Sequence, residues 1–501
     1  MATDPIRISW RHRLLAILAG AVLPFAFAPL DLFPLAFLAP AMLFWLWCKV
    51  TPWQASQLGF LFGLGQFGVG VSWIYVAIHD VGQSPAWLAG GMTLLLVAFL
   101  SLYPALAGWL VVRLRGRLSG SLWMLGLVPA LWVLTEWLRG WIITGFTWLQ
   151  LGYSQIDLPL SGLASWLGVY GVSWAVALSS ALLVSAIRQV GTGRWIPLTG
   201  LFVLWVVAWL AGQMPWSTPV GKELKVALIQ GNSPQTTKWD PDKIKMRQDL
   251  YLRLTRANWD RDLIVWPENA LTTFYHNLDK DYLQPLAAEA RTHHTDIVFG
   301  VPFMDLNTDR YYSSMASIGA TPGIYHKRHL VPFGEYVPFE SLLRGLIGFF
   351  DLPMSGFSRG ENDQSYLMAA GQPLAPSVCY EDTFSEEVID FLPHATLLVN
   401  GSNNGWYGDS FAPPQHLQMS RMRAAETARP LLRATTNGIS AIVDYRGRIV
   451  SRSAQFKTVV LTGVVQPRQG ATLYVRVGNS LVIGLVIGLV LLLWWRGRQQ
   501  R

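Results

Sequence analysis

The chain has little cysteine and little charge. Two cysteines in 501 residues, Cys48 and Cys379, leave no room for a disulfide framework. Charged residues make up 14% of the chain, against about 25% in soluble domains, which excludes an ordinary soluble protein. The N-terminal apolar segment follows RISWRHR but lacks a small-residue cleavage site and runs straight on into a second apolar segment. It therefore reads as a retained helix and not a secretory leader. Internal repeats and paired charges of the transporter type are missing from the apolar half. No nucleic-acid-binding module is present, although the formal charge is +8. The basic excess sits at the ends of apolar segments, where it sets membrane topology.

What the chain has in excess is apolar sequence: 51% hydrophobic residues and 24 tryptophans. A bilayer span needs about 20 mostly apolar residues. Seven candidate spans lie at 12–30, 33–48, 55–78, 86–112, 121–143, 160–187 and 195–213, and an eighth at 477–495. The predicted domains are accordingly a seven-helix membrane domain over 1–215, a polar block over 222–470 and an eighth membrane helix over 476–497. Lysine and arginine bias orients them. Arg7, Arg11, Arg13, Lys49, Arg113, Arg115, Arg117, Arg188, Arg194, Arg496, Arg498 and Arg501 fall on one side, assigned to the cytoplasm. The opposite short loops have no basic residue of their own, only Arg139 at a helix end. Both termini are then cytoplasmic and 222–470 faces the other side, the periplasm of a Gram-negative cell. Cys379 on that side has no partner, because Cys48 is a bilayer away.

Within 222–470, strand-like runs alternate with helical ones: LKVALIQ (224–230), DLIVWPE (262–268), DIVFGVP (296–302), ATLLVNGSN (395–403), RPLLRATTN (429–437) and KTVVLTGVV (457–465). SAIVDYRGRIV (440–450) reads as a hairpin, and Asp240 with Pro241 reads as the start of a helix. This alternation predicts a layered α/β domain with reactive groups at the carboxyl ends of strands. Glu268, Lys327 and Cys379 stand at such ends. As a set they are chemically complete: a carboxylate to take the thiol proton, a thiol nucleophile, and an ammonium for the oxyanion, with no histidine required. Taken singly each has a plainer reading, the cysteine as core filler and the charges as solvated surface. Placement beside proline, glycine and aromatic residues favours the reactive one.

The stretches W-P-E-N (266–269), H-K-R-H-L-V-P-F-G-E-Y-V-P (326–338) and C-Y-E-D (379–382) resemble the Glu-Lys-Cys signatures of the nitrilase superfamily. The lysine motif, joined to a multi-span N-terminal half, resembles the apolipoprotein N-acyltransferase family. QGNSPQTTKWD (230–240), YVAIHDVG (75–82) and EWLRGWIITGFTWLQLGYSQ (136–155) extend the likeness along nearly the whole chain. The resemblance implies an αββα sandwich, an α/β nitrilase-like fold, on a transmembrane bundle of eight helices. It implies Glu268 as general base, Lys327 as oxyanion stabiliser and Cys379 as acylated nucleophile, with Trp239, Glu335, Tyr336, Tyr380 and Glu381 around them. Glu136, Arg139, Phe146 and Trp148 are the further supporting candidates on the membrane side. Two positions depart from the family pattern: Thr147, where a proline is expected, and Ser313, where asparagine is frequent.

The reaction so implied moves a fatty acyl chain from a phospholipid to Cys379. From there it passes to the α-amino group of the diacylglyceryl-cysteine of an apolipoprotein. No cofactor, metal or nucleic acid is expected; the partners are the membrane, a phospholipid donor such as phosphatidylethanolamine, and diacylglyceryl-modified apolipoproteins. The rival reading is a membrane-tethered amidase or nitrilase acting on a small periplasmic substrate. Glu136 and Arg139, three apart on the fifth span, admit a lipid-headgroup role or a structural one. His79 and Asp80 admit a solvated loop or a substrate contact. The apolar stretch LLRGLIGFFDLPMSGFSRG (342–360) is expected to be an arm dipping into the bilayer.

Overall fold

A computed structural model of the chain describes residues 8–116, 118–337 and 356–499. Two compact units emerge. One comprises Met1–Met214 with Ser410–Gln418 and Arg476–Arg501; the other comprises Pro215–Asp409 with Met419–Val475.

Apolar helices build the first unit. Ala86–Arg113, Pro159–Arg188, Gly191–Ala211 and Ser480–Gln499 are each long and apolar enough to cross a bilayer. Pro52–Gly70 with Trp73–Val81, bent by 48°, makes a fifth if the pair counts as one span. The other three expected spans are helical but shorter among the described residues. Trp10–Val22 has 13 residues and gives way to a tighter turn at Leu23–Ala26, where Pro24 removes a helical donor. Leu35–Leu46 and Val128–Arg139 have 12 each. Length and composition thus support four or five of the eight expected spans. Small residues let these helices approach closely. A Cβ on Gly59 would lie 2.2 Å from the Pro104 carbonyl oxygen, and one on Gly20 would lie 1.9 Å from that of Phe62.

Among the described residues the second unit has fourteen strands: β1 (Ser217–Pro219), β2 (Leu224–Gln230), β3 (Leu263–Val265), β4 (Asp296–Asp305), β5 (Arg310–Ile318), β6 (Gly323–His326), β7 (Leu367–Ala369), β8 (Gln372–Val378), β9 (Leu397–Ser402), β10 (Leu431–Thr435), β11 (Ala441–Val443), β12 (Ile449–Arg452), β13 (Val459–Val465) and β14 (Arg468–Gly470). One six-stranded sheet runs β13-β2-β3-β4-β5-β6 and the other β12-β11-β10-β9-β8-β7, while β1 and β14 pair separately. β2, β3 and β4 are parallel, as are β8, β9 and β10. Parallel neighbours need crossover connections, and helices Ile244–Arg256, Gln284–Thr292 and Ala412–Thr427 lie in them. The strands are buried on both faces and read as continuous apolar runs, LKVALIQ and ATLLVN among them.

Trp266, Phe299 and Tyr251 anchor the core between the first sheet and its helices. Buried Gln230 ties the two sheets together: its side-chain oxygen accepts from Thr435 Oγ1 at 3.2 Å, Ser440 Oγ at 2.8 Å and Ser453 Oγ at 2.8 Å. Asp240 accepts from the Asp242 N–H with Pro241 in the first turn, as its sequence context predicts. The layered α/β expectation therefore holds. β1, β5, β6, β7, β8 and β14 had no counterpart among the expected strand runs.

Candidate active site

Glu268 follows β3 after Trp266 and Pro267, Lys327 follows β6 directly, and Cys379 follows β8 directly. All three are buried. Lys327 Nζ lies 2.7 Å from Glu335 Oε1 and 3.8 Å from Glu268 Oε1. Burial works against the Lys327 charge, but Glu335, Glu268 and Cys379 outweigh it and raise its pKa. Lys327 is therefore a fixed cation. Glu335 is raised by burial and opposed by Lys327; its second oxygen accepts from the Val331 N–H at 2.8 Å.

Cys379 opens the turn Cys379–Thr383 with φ at +53°, a left-handed conformation rare outside glycine. Burial, then the Glu268 charge, pushes its thiol up to about 12, against Lys327 and the Asn403 backbone N–H. The resting nucleophile is a neutral thiol, and its proton must leave as the sulfur attacks.

Glu381 fastens two of these elements together. One carboxylate oxygen accepts from the Arg328 N–H, the His329 N–H at 3.1 Å and Tyr325 OH at 2.9 Å. The other accepts from the Val378 N–H at 2.7 Å. The chain after Lys327 and the chain before Cys379 thus share one carboxylate. Burial and then Glu387 push Glu381 up to about 7, opposed by Lys327 and its backbone donors. Tyr380 is buried, with its ring 5.6 Å from His329 and 4.9 Å from Phe384. Tyr336 is half-buried and closes a short loop, its carbonyl accepting from the Phe333 N–H at 2.7 Å. Trp239 is half-buried, and its indole N–H has no partner among the described residues.

Several neighbours were not singled out from the sequence. Lys238 Nζ donates to the Glu268 carbonyl at 3.0 Å. Arg433 donates to Asp382 Oδ2 at 2.8 Å and Asn400 Oδ1 at 2.6 Å, while Asn400 donates to the Cys379 carbonyl at 3.4 Å. Tyr407 is raised by burial and then by Cys379 and Glu268. Lys238 could have been found beside Trp239, because a lysine closing a strand-to-helix loop is out of place in a buried segment. The rest are ordinary strand and turn residues.

Glu136, Arg139, Phe146 and Trp148 form their own cluster in the helical unit. Glu136 Oε1 accepts from Trp132 Nε1 at 3.0 Å and the Leu151 N–H at 2.9 Å. Arg139 donates to the carbonyls of Phe146 at 2.9 Å and Trp148 at 2.5 Å. The Trp148 ring lies 5.1 Å from Trp73, 5.8 Å from Phe146 and 5.5 Å from His416. Thr147 and Ser313 are buried, and neither hydroxyl has a partner among the described residues. At Ser313 the backbone acts instead, its carbonyl accepting from the Lys327 N–H at 2.8 Å. His79 Nδ1 lies 2.7 Å from the Ser84 carbonyl oxygen, and the neighbouring Asp80 is exposed. Most of the expected arm, 342–355, lies outside the described residues.

Comparison with known proteins agrees along the chain. Residues 19–182 match the apolipoprotein N-acyltransferase N-terminal domain, and 225–473 match the carbon-nitrogen hydrolase domain. The chain is 45% identical to an apolipoprotein N-acyltransferase of Methylococcus capsulatus, with 97% of this chain and 96% of the relative covered. It is 44% identical to one of Nitrosomonas europaea, covering 96% of each, and 43% identical to one of Azotobacter vinelandii, covering 98% and 95%. A nitrilase-type sandwich with apolar helices, matched end to end by such relatives, belongs to the apolipoprotein N-acyltransferase family.

Proposed function

We propose that the chain transfers a fatty acyl group from a phospholipid, through a thioester on Cys379, to the α-amino group of the N-terminal diacylglyceryl-cysteine of apolipoproteins. Lipoprotein N-acylation is the activity named for its relatives over nearly their full length. The observation that carries the chemistry is the buried meeting of Lys327 with Glu335 and Glu268 beside a neutral Cys379 thiol.

In the first half-reaction Glu268 takes the Cys379 proton as the sulfur attacks the ester carbonyl. Lys327, held by Glu335, faces the oxyanion that develops. The carbon–oxygen ester bond breaks, Glu268 returns the proton to the departing lysophospholipid oxygen, and a thioester remains. In the second, the incoming amine attacks the thioester carbonyl, Glu268 takes its proton, and the sulfur leaves and is reprotonated. Splitting one exchange into two steps is what a covalent intermediate achieves. Phosphatidylethanolamine is the proposed donor. The proposed setting is the bacterial inner membrane, crossed eight times, with the α/β unit periplasmic and both termini cytoplasmic. Reporter fusions at the loops and termini test that topology. Hydrolysis of a small periplasmic substrate is not favoured, because the relatives share the helical half as well.

Mass spectrometry of the full chain incubated with phosphatidylethanolamine tests the reaction. A fatty-acyl adduct on Cys379, absent from Glu268→Gln, is expected. An unmodified Cys379 in an otherwise active preparation refutes the thioester route.

A further inference from the structure

Lys238 is a second buried lysine in the active-site wall, and the Glu-Lys-Cys chemistry does not use it. Its side chain is 1% exposed, and Nζ donates to the Glu268 carbonyl at 3.0 Å and to Thr436 Oγ1 at 3.4 Å. Among the described residues it makes no ion pair with a carboxylate. A buried ammonium bonded only to neutral oxygens is costly, so its longer-range surroundings have to compensate. Burial lowers it to about 8, against the charges of Glu268 and Cys379 that favour the ammonium, and Arg247 adds to the lowering.

The charges around it can be counted. Glu268, Glu335 and Glu381 are the carboxylates of the cluster, Glu381 pushed up to about 7 by burial and Glu387; Lys327 and Lys238 are its two ammonium groups. Arg433 is paired with Asp382, and Arg247 has Asp240 as its charged neighbour. Tyr407 and Cys379 are neutral acids, both raised by burial. The two ammonium groups balance Glu268 and Glu335, with Glu381 beyond them; without Lys238 these carboxylates are left with Lys327 alone in a dry site.

We infer that Lys238 is a positioning residue and the second counter-cation of the acyl-transfer site: it anchors the Glu268 backbone and places positive charge beside Glu268, so that Glu268 can accept the thiol proton. This inference rests on the acyl-transfer reading. Removing the cation leaves two carboxylates sharing one ammonium, and like charges raise carboxylate pKa values by about one to three units. The acidic limb of Cys379 acylation then moves to higher pH.

The test follows the rate of the acyl-Cys379 adduct by quenched mass spectrometry, using full-length protein and phosphatidylethanolamine micelles from pH 5.5 to 9.5. Wild type forms the adduct. Lys238→Met and Lys238→Gln shift the acidic limb up by about one to three units and recover rate as pH rises. Lys238→Arg keeps the wild-type limb. Glutamine retains a donor for the Glu268 carbonyl, so it carries the test if the methionine variant does not fold. A glutamine variant with the wild-type limb overturns the charge role. An arginine variant shifted as far as glutamine overturns it too. Absence of the adduct in wild type refutes the acyl-transfer reading itself, and the inference with it.

Discussion

Arg433→Met separates what a buried charge does for stability from what it does for the nucleophile. Arg433 is fully buried on β10 and donates to Asp382 Oδ2 at 2.8 Å, Asn400 Oδ1 at 2.6 Å and Ser420 Oγ at 2.9 Å. Methionine fills much of the volume but takes the cation from Asp382, itself 2% exposed and still accepting from Ser420 Oγ at 2.5 Å. Removing one partner of a buried pair costs about 3–5 kcal/mol, whereas replacing both by apolar residues is often neutral. At about 2–4 °C per kcal/mol for a domain of this size, Arg433→Met should lower Tm by roughly 6–20 °C. Arg433→Met with Asp382→Leu should recover most of that loss. Acylation should not recover with it, because Asn400 still lacks one of the two donors, Arg433 and Ser402, that hold its oxygen while its amide donates to the carbonyl of left-handed Cys379. Thermal unfolding in detergent and the acyl-Cys379 adduct are read on the same samples. A single variant within 1 °C of wild type refutes the energetic argument. A double variant that regains both stability and full acylation refutes the role given to Asn400.

Three further outcomes follow from particular contacts. A Cβ on Gly300 would lie 2.4 Å from the Pro267 carbonyl oxygen and 2.5 Å from Glu268 Cα. Gly300→Ala therefore displaces the general base, and because a misplacement of about 1 Å can cost ~10²-fold, acylation should fall by about that factor. Glu381→Gln puts an amide where four donors converge, setting its NH₂ against the Val378 N–H or against the Arg328 and His329 N–H groups. Adduct formation should drop at least tenfold, by the same ~1 Å sensitivity, and a wild-type rate would dismiss the shared carboxylate. His326 is lowered to about 4 by burial, opposed by Asp305, so the unfolded chain binds its proton more readily between that value and 6.5. Its contribution to stability is present above pH 6.5 and lost as pH falls towards 4. Replacing it by phenylalanine should flatten Tm against pH in that window; an unchanged slope argues against it.

Composition and order along the chain were enough to divide it into an apolar half and a polar block, to place β2, β4, β9, β10 and β13, and to point to Glu268, Lys327 and Cys379. Those features are local: a run of apolar residues reports that a segment is buried, and a turn reports where a strand ends. Pairing is not local. Lys327 with Glu335 is visible in one motif, yet Glu381 with Arg328, Asp382 with Arg433, and Lys238 with the Glu268 carbonyl join residues 30 to 53 positions apart. Parallel crossovers, which return the chain to the same end of a sheet, bring the Asp382 and Lys238 pairs together, and the meeting of the two sheets brings Glu381 to Arg328. The resting state of Cys379 was likewise undecided by its neighbours in sequence. Lys327 favours the thiolate, and tertiary burial overrides it, since desolvation of a buried sulfur costs more than one shared ammonium returns.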